Sequence, residues 1–319
     1  MTTLYKLGQT LRGRLSTYTL TKEIYNTVWL ASNNGGEIVV IKGVRHSRIK
    51  NERDVLQKFQ NQTPIRPLVD EILEPIDPPG IVLRYLDSDL LAASTSKTLN
   101  RSEIKHVARI VLKALTVIHE DGYVHTDIKP NNVLCNYRRD EDVQQDGSII
   151  RFSEVLLADF GSCVPSSSNY AQQGELIGTS IFRSPEASLK LPWGPSTDIW
   201  SFGALVISLF FGNYHIFSPR VSVDDPEHDR IVLERIHMFF GPFPLTYKTL
   251  ADSKTLNYLA EIMNNVPQRK PFGMIKDKEF EPEDKTFLLE IMKLDPRDRP
   301  TVKELLLHKW FEGNGENWR

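Results

Sequence analysis

The sequence predicts an α+β fold in which a small β-rich part precedes a larger helical part. Residues 26–31 and 37–42 are two β-forming runs on either side of an Asn-Asn-Gly-Gly turn sequence, a pattern typical of a β-hairpin. Further along the chain, apolar residues recur at helical spacing over long stretches. We therefore expect one unit over residues 1–86 and a second over residues 87–319.

Local spacing predicts the elements that follow the hairpin. Residues 49–59 carry apolar side chains at helical spacing, and the short apolar run 81–83 follows a Pro-Pro-Gly turn and predicts another strand. Residues 102–119 have an apolar face and predict a helix. The segment begins with Ser102-Glu103, and the charge of Glu103 is favourable at a helix N-terminus. The polar stretch 138–147 is expected to be a loop.

The composition is that of an ordinary globular chain. The 319 residues are 40% hydrophobic and 25% charged, with a formal net charge of −2, which excludes a general binder of polyanions. The basic run at 45–50 is therefore interpreted as a solvated helix start, not as a nucleic-acid site. Cys135 and Cys163 are too few for a disulfide framework or a cysteine-rich zinc site, and they favour an intracellular compartment, cytoplasmic or nuclear.

No segment of the sequence predicts secretion or a membrane span. Residues 1–12 contain no apolar run with a cleavage-site pattern. The most apolar stretch, residues 199–211, would rise about 20 Å as a helix, less than the bilayer core of about 30 Å. We therefore expect a buried helix there, no membrane partner and, since no oligomer signal is present, a monomer.

A set of short motifs follows in order along the chain. Residues 125–132 read HTDIKPNN, which fits the pattern H-x-D-x-K-P-x-N, and residues 158–161 read ADFG. The other members of the set are VVIK at 39–42, Glu52, SPE at 184–186, DIWSFG at 198–203 and Arg299. Together these motifs resemble those of the eukaryotic protein kinase family over nearly the whole chain.

The resemblance implies a two-lobed protein kinase fold, with a small β-rich N-lobe, a larger helical C-lobe and ATP between them. Within the family, FRSPE at 182–186 is similar to a motif of the CMGC group, which contains cyclin-dependent, MAP and SR-protein kinases. TVWLA at 27–31 is similar to a stretch of the SR-protein kinases. The chain thus resembles a divergent SR-protein-kinase-like serine/threonine kinase of fungal type. A CMGC-type insert is expected at about residues 213–283.

By the same resemblance, a catalytic loop carries out phosphoryl transfer. Asp127 would accept a hydrogen bond from the substrate hydroxyl, and Lys129 would contact the γ-phosphate. Asn132 completes the catalytic set, and together with Asp159 it would hold Mg²⁺ through oxygen ligands. The resemblance therefore implies ATP and Mg²⁺ as cofactors.

The resemblance also assigns the nucleotide site. Lys42, steadied by Glu52, would hold the α- and β-phosphates. The remaining nucleotide-binding residues that it implies are Leu20, Val28, Val40, Leu83 as the gatekeeper, Arg84 and Leu86. Backbone groups of the linker that contains the last two would read the edge of the base.

The chain departs from the family pattern at two places. Thr21, Glu23 and Asn26 occupy the positions of the three glycines in the phosphate-binding loop. A carboxylate beside a phosphate is repelled, so weak ATP binding is expected, together with a gain on the substitution Glu23→Gly. Thr126 replaces the arginine before the catalytic Asp, which removes the usual partner of a phosphorylated activation segment.

These observations favour a protein serine/threonine kinase. Lys129-Pro130 and Gly178-Thr179 match the serine/threonine pattern, and Arg/Ser-rich proteins are a candidate substrate class. One alternative is a pseudokinase-like binding module with weak ATP binding, because the glycines are missing. A small-molecule phosphotransferase is a second alternative, disfavoured because the later motifs would not be expected there.

Three residues near these motifs also have plain structural interpretations. His119 and His125 are six residues apart, but no further Cys or His completes a zinc-like set, so structural roles are favoured over metal binding. Cys163 lies near the nucleotide motif, and a plain buried thiol is favoured there over a redox role.

Overall fold

The computed structural model describes residues 5–25, 27–139, 150–212, 214–268, 271–276 and 280–312. Its first part is an antiparallel barrel whose strands are β1 (Thr10–Gly13), β2 (Thr17–Tyr25), β3 (Val28–Asn33), β4 (Ile38–Gly43), β5 (Leu68–Glu74) and β6 (Gly80–Arg84). The strands close in the order β1-β2-β3-β4-β6-β5, so β1 pairs with both β2 and β5. Helix α1 (Ser47–Lys58) packs against the outside of this barrel.

The predicted hairpin is present as β3 and β4. Asn33 Oδ1 accepts hydrogen bonds from the backbone N–H groups of Gly35 and Glu37, which fixes the turn. Because strand side chains alternate between faces, Trp29 and Ile41 point into the barrel and are buried, while Lys42 points to the opposite face.

The second part is mainly helical. Its helices are α2 (Leu90–Ser96), α3 (Arg101–Glu120), α4 (Asn169–Gln172), α5 (Pro185–Ser188), α6 (Pro195–Phe210), α7 (His228–Phe240), α8 (Ser253–Asn265), α9 (Pro282–Ile291) and α10 (Val302–Leu306). Its strands are β7 (Ser88–Asp89), β8 (Tyr123–Val124), β9 (Val133–Tyr137), β10 (Phe152–Leu157) and β11 (Val164–Pro165). They form two small sheets, with the strand orders β10-β9-β7 and β11-β8. These sheets lie in the half of the helical part that faces the barrel.

Helix α3 begins one residue earlier than its apolar pattern suggested. Asn100 Oδ1 accepts from the backbone N–H of Glu103, while Glu103 Oε2 accepts from the backbone N–H of Asn100. This reciprocal pair is a capping box that satisfies N–H groups otherwise left without partners at the helix start. The apolar face of α3 packs against α6, which is buried along most of its length, as predicted for residues 199–211.

The predicted α+β class, with a β-rich first part and a helical second part, is confirmed. The described part of the region expected to be an insert, residues 213–283, includes α7 and α8. Most of the loop predicted at 138–147 lies outside the described residues. In the ranges that the structure describes, no helix combines the length and apolarity needed to cross a membrane.

Candidate active site

A lysine and two carboxylates meet where the barrel faces the helical part. Lys42 Nζ lies 2.7 Å from Glu52 Oε2 on α1 and 2.9 Å from Asp159 Oδ1. Burial lowers the pKa of Lys42, but the two carboxylates outweigh this effect and keep its pKa above the ordinary value. The ammonium group is therefore charged at neutral pH and held in one position.

Asp159 has an unusual backbone conformation that directs its carboxylate to Lys42. Its φ of 62° lies in the left-handed region, which non-glycine residues rarely adopt. Phe160, next in the chain, is fully buried with its ring centroid 4.8 Å from that of His125. Burial raises the pKa of Asp159, but Lys42 outweighs it and holds that pKa below the ordinary value. Asp159 is thus ionised and available as an oxygen ligand.

The predicted catalytic residues surround Asp127. Lys129 Nζ lies 2.7 Å from Asp127 Oδ2, and Asn132 Nδ2 donates to both the main-chain oxygen (2.8 Å) and Oδ2 (3.0 Å) of Asp127. Thr179 Oγ1 donates to Asp127 Oδ1 at 3.2 Å and accepts from Lys129 Nζ at 3.0 Å. Because both carboxylate oxygens have hydrogen-bond donors, the Asp127 carboxylate is fixed in orientation.

Asp198 on α6 fixes the backbone of the two residues that precede Asp127. Its fully buried carboxylate accepts from the backbone N–H groups of His125 (2.8 Å) and Thr126 (2.9 Å) and contacts His119 Nε2 at 2.9 Å. The ring of His125 contacts the main-chain oxygen of Ala158 at 3.1 Å. Both histidines therefore have structural partners. Among the described residues, no three His, Cys, Asp or Glu side chains are grouped to hold a metal ion.

A cleft of about 910 Å³ lies between the two parts of the chain and contains most of the predicted site residues in its lining. Its apolar end is formed by Val28, Val40, Leu83 and Leu86, all predicted for the base subsite. Its polar end contains the predicted residues Lys42, Glu52, Lys129, Asn132 and Asp159. Asp127 is not among the lining residues, but its neighbours Lys129 and Thr179 are. A large cleft with an apolar end and convergent polar groups is typical of a small-molecule site.

The side chains of two residues assigned to the base subsite lie elsewhere. The side chain of Leu20 is buried in the barrel core beside Tyr18 and Trp29, because it lies two residues after Tyr18 on the same face of β2. After Leu20, the pairing of β2 with β3 shifts between Leu20 and Lys22. A bulge of this kind reverses the faces of the residues that follow it. The side chain of Arg84 is exposed and pairs with Glu154, at 2.9 and 2.7 Å, instead of lining the cleft. The side chain of Leu20 is therefore not in the predicted subsite, whereas the role predicted for Arg84 concerned its backbone, and that stays a prediction.

The bulge also changes the charge that β2 presents to the cleft. Glu23 is exposed and does not line the cleft, whereas Lys22 does. The repulsion expected between Glu23 and a phosphate is therefore not supported, and a cation stands on the cleft face of this strand. Asn26, at the position of the third glycine, lies outside the described residues.

We expect Lys22→Gln to raise the ATP KM about fivefold and Glu23→Gln to leave it unchanged. A unit charge about 4 Å from a phosphate contributes about 1 kcal/mol in water, which is about fivefold in affinity. Steady-state kinetics of the two variants at varied ATP would measure this. The reverse ranking, with Glu23→Gln lowering the KM, would show that Glu23 and not Lys22 approaches the phosphates.

Asn51 is a functional residue that the sequence reasoning missed. It precedes Glu52 on α1, and its Nδ2 donates to the main-chain oxygens of Cys163 (2.8 Å) and Gly161 (3.1 Å), with Phe160 O at 3.4 Å. Thr126 Oγ1 donates to the intervening oxygen, that of Ser162, at 3.0 Å. The chain after Asp159 is thereby held to α1 and to the catalytic loop by uncharged donors.

Arg66 is a second residue that the sequence reasoning missed. Its side chain lines the cleft beside Leu83, and its Nε donates to the main-chain oxygen of Arg84 at 2.9 Å. Burial lowers its pKa to about 10, opposed by the charges of Glu52 and Asp159, so the guanidinium is cationic at neutral pH. No local sequence pattern marks this position.

Arg299, the last member of the motif set, pairs with Glu186 of the SPE motif. Arg299 Nη1 and Nη2 lie 2.7 Å from the two oxygens of Glu186, and the side chains are 0% and 1% exposed. Arg299 also donates to the main-chain oxygens of Ser196 and Leu294. This buried bidentate pair joins the start of α5 to the segment before α10.

The polar end of the cleft fits a Mg²⁺ ion. Asn132 uses its amide nitrogen for Asp127, which leaves its Oδ1 as a ligand, and Asp159 supplies carboxylate oxygens. Mg²⁺ prefers such oxygen ligands and takes the rest of its shell from phosphates and water. The residues present therefore fit the metal that the sequence analysis expected.

Comparisons with known proteins agree with this architecture. The chain is 25% identical to human "Serine/threonine-protein kinase PAK 4" over 88% of its own length and 40% of the relative's. It is 26% identical to "CTD kinase subunit alpha" of Schizosaccharomyces pombe, over 90% of this chain and 46% of that protein. The chain thus spans less than half the length of these relatives.

A solved structure has the same fold. A crystal structure of the yeast RNA polymerase II CTD kinase CTDK-1 complex contains a chain that superposes with a TM-score of 0.75 at 19% identity, covering 98% of this chain and 97% of that one. The profile of the family described as "Protein kinase domain" matches residues 25–311. The chain therefore belongs to the protein kinase domain family.

Proposed function

We propose that the protein is a serine/threonine kinase that transfers the γ-phosphoryl group of ATP to a protein hydroxyl. The observation that carries this proposal is that Lys42, Asp159 and Lys129 line one cleft, with the Asp127 carboxylate 2.7 Å from Lys129 Nζ. The substrate oxygen forms a bond to the γ-phosphorus as the bond to the β–γ bridging oxygen breaks, ADP leaves, and the hydroxyl proton moves toward Asp127.

The residues of the site have separate parts in this reaction. Lys42 positions the α- and β-phosphates, and Glu52 fixes the ammonium group of Lys42. Lys129 lies beside Asp127 and is placed to neutralise charge on the transferred group. Mg²⁺, when bound, neutralises phosphate charge, and Asn132 and Asp159 are the residues that would hold it.

The pseudokinase alternative has less support than activity. The missing glycines favour the pseudokinase. However, the cleft face of β2 presents the cation Lys22, and not the carboxylate of Glu23 that was expected to repel a phosphate. A small-molecule phosphotransferase is disfavoured by the buried Glu186–Arg299 pair, which belongs to the motif set of protein kinases.

Substrate class and partners extend the proposal. Asp87 and Asp89 line the same cleft and would attract cationic side chains, which supports an Arg/Ser-rich or generally basic protein substrate. We further propose that residues 1–86 and 87–319 act as the two lobes of one kinase domain. A monomeric, cytoplasmic or nuclear enzyme without nucleic-acid or membrane contacts is proposed on the composition alone.

Transfer of radiolabelled phosphate from Mg·ATP tests the proposed activity. The acceptors are an Arg/Ser-rich peptide, its Arg→Gln counterpart and a generic basic protein. We expect labelling of Ser or Thr in the basic acceptors and its loss in Asp127→Asn. Absence of labelling in all three acceptors, with a folded wild-type protein, would refute the kinase and favour the binding module.

We expect activity to be independent of phosphorylation of the activation segment between Asp159 and Glu186. Asn51 and Thr126 already hold the start of this segment, and Arg183 holds its later part through the oxygens of Ile177 (2.6 Å) and Gly178 (3.2 Å). A phosphate would therefore add little differential stabilisation. The rate before and after phosphatase treatment, with mass spectrometry to verify removal, measures this. A loss beyond about tenfold would contradict it.

A further inference from the structure

Arg66 occupies the part of the cleft where the edge of a purine base would lie. Its backbone N–H donates to Leu157 O at 2.8 Å, which ties this residue to β10. Its side chain lines the cleft together with the gatekeeper Leu83 and Ala158. A cation therefore stands in the cleft beside the gatekeeper, close enough to Glu52 and Asp159 for their charges to act on it.

The contact that Arg66 makes involves the group expected to read the base. The linker 84–86 is the segment whose backbone would contact the base edge, and Arg66 Nε donates to its first main-chain oxygen, that of Arg84, at 2.9 Å. No other hydrogen bond of the Arg66 side chain is present among the described residues. A guanidinium has five N–H donors and no acceptor, so its remaining donors are open to a ligand in the cleft.

Purine bases differ at C6, the position that the Arg66 guanidinium would meet. Adenine carries an amino group at C6, which is a donor, whereas guanine and hypoxanthine carry an oxygen, which is an acceptor. A donor facing a donor leaves both unpaired, but a guanidinium facing a carbonyl oxygen forms a charge-assisted hydrogen bond.

We propose that Arg66 is a specificity-determining residue that recognises an oxygen at C6 of the purine, so that the cleft accepts GTP as a phosphoryl donor in addition to ATP. This inference rests on the proposed function, since it concerns the donor of the same reaction. The competing role for Arg66 is to support the linker without contacting the base.

The test compares ATP, GTP and ITP as phosphoryl donors for the wild type. ITP shares the C6 oxygen of GTP but lacks its 2-amino group, so it isolates the position that Arg66 would read. We expect kcat/KM for GTP and ITP within about tenfold of that for ATP. A preference for ATP over both of more than about 100-fold would overturn the proposal.

The variant Arg66→Met assigns the effect to this side chain. We expect it to lower the ratio of kcat/KM for GTP to that for ATP at least tenfold, with ITP following GTP. This ratio does not depend on the fraction of folded enzyme, so a purely supporting role would not move it. The matched control is Arg53→Met on α1, whose guanidinium pairs with Glu71 outside the cleft and should leave the ratio unchanged. An unchanged ratio in Arg66→Met would overturn the proposal.

Failure of this inference and failure of the proposed function give different results. If no nucleotide supports transfer, the kinase activity is refuted, and calorimetric titration of the same three nucleotides with Mg²⁺ then decides the role of Arg66. Binding of GTP and ITP that weakens in Arg66→Met, relative to ATP, supports the inference. Equal weakening of all three nucleotides, or no binding of GTP and ITP, contradicts it.

Discussion

Replacing Asp159 by Asn is expected to reduce phosphoryl transfer by about 10³-fold while the protein stays folded. The substitution removes the charge that pairs with Lys42 at 2.9 Å and the carboxylate that would hold Mg²⁺, and loss of one preorganised electrostatic contact costs about 10²- to 10³-fold in rate. Asn tolerates the left-handed backbone conformation observed at this position, so the fold should be retained. Lys42→Met should have an effect of similar size.

The measurement is the initial rate at saturating Mg·ATP together with the melting temperature of each variant. Asp54→Asn is the matched control, since Asp54 is an exposed carboxylate on α1 that pairs with the neighbouring Arg53. We expect its rate to equal that of the wild type. A wild-type rate in Asp159→Asn would show that the reaction does not use this cluster.

Replacing Arg299 by Met is expected to destabilise the protein by about 3–5 kcal/mol. The change leaves the Glu186 carboxylate buried without its partner, and breaking a fully buried ion pair costs about this much because one charge stays unpaired in a low-dielectric environment. The double variant Glu186→Gln/Arg299→Met removes that charge and should recover a large part of the loss. Denaturant unfolding of the three proteins gives the free energies.

Arg12→Met provides the comparison for this second experiment. Arg12 pairs with Glu74 on the barrel surface, where the two side chains are 55% and 62% exposed. Exposed ion pairs contribute little to the free energy of unfolding, so the denaturant midpoint of Arg12→Met should hardly differ from that of the wild type. Equal destabilisation by Arg12→Met and Arg299→Met would mean that burial of the Glu186–Arg299 pair carries no special weight.

The parts of the fold that sequence reasoning predicted well are those with a strong local pattern. The hairpin of β3 and β4 follows from two β-forming runs and a turn that Asn33 can close with its own side chain. Helix α3 follows from its apolar face, and only its first residue was misjudged, because Asn100 caps the helix and it begins at Arg101 instead of residue 102. Motifs with fixed spacing likewise predicted the residues at the phosphate end of the cleft.

One error arose where a strand departs from regular alternation. Glu23 was expected beside a phosphate, whereas the shift in the pairing of β2 with β3 turns Lys22 to the cleft. Nothing in the local sequence from 17 to 25 signals this bulge. Leu20 was placed in the base subsite by the resemblance of residues 20–28 to the family motif, but its side chain shares the inner face of the barrel with Tyr18. The prediction for Arg84 concerned its backbone in the linker, and the direction of its side chain could not be predicted because its partner Glu154 is 70 residues away along the chain.

The residues that were missed owe their roles to contacts between distant segments. Asn51 donates hydrogen bonds to main-chain oxygens about 110 residues later in the chain. The family motif includes its neighbour Glu52 but not Asn51. Arg66 lies in the connection between α1 and β5, where an arginine would ordinarily be interpreted as solvated. Only the packed structure shows that both side chains point inward.

The closed barrel limits how another protein can recognise the first part of the chain. In an open sheet, the last strand presents unpaired N–H and C=O groups to which a foreign strand can add. Here β1 pairs with β2 on one side and with β5 on the other, so the sheet has no free edge along these strands. A regulator of this part of the chain must therefore bind through side chains on the barrel surface or on α1, because strand addition is closed to it.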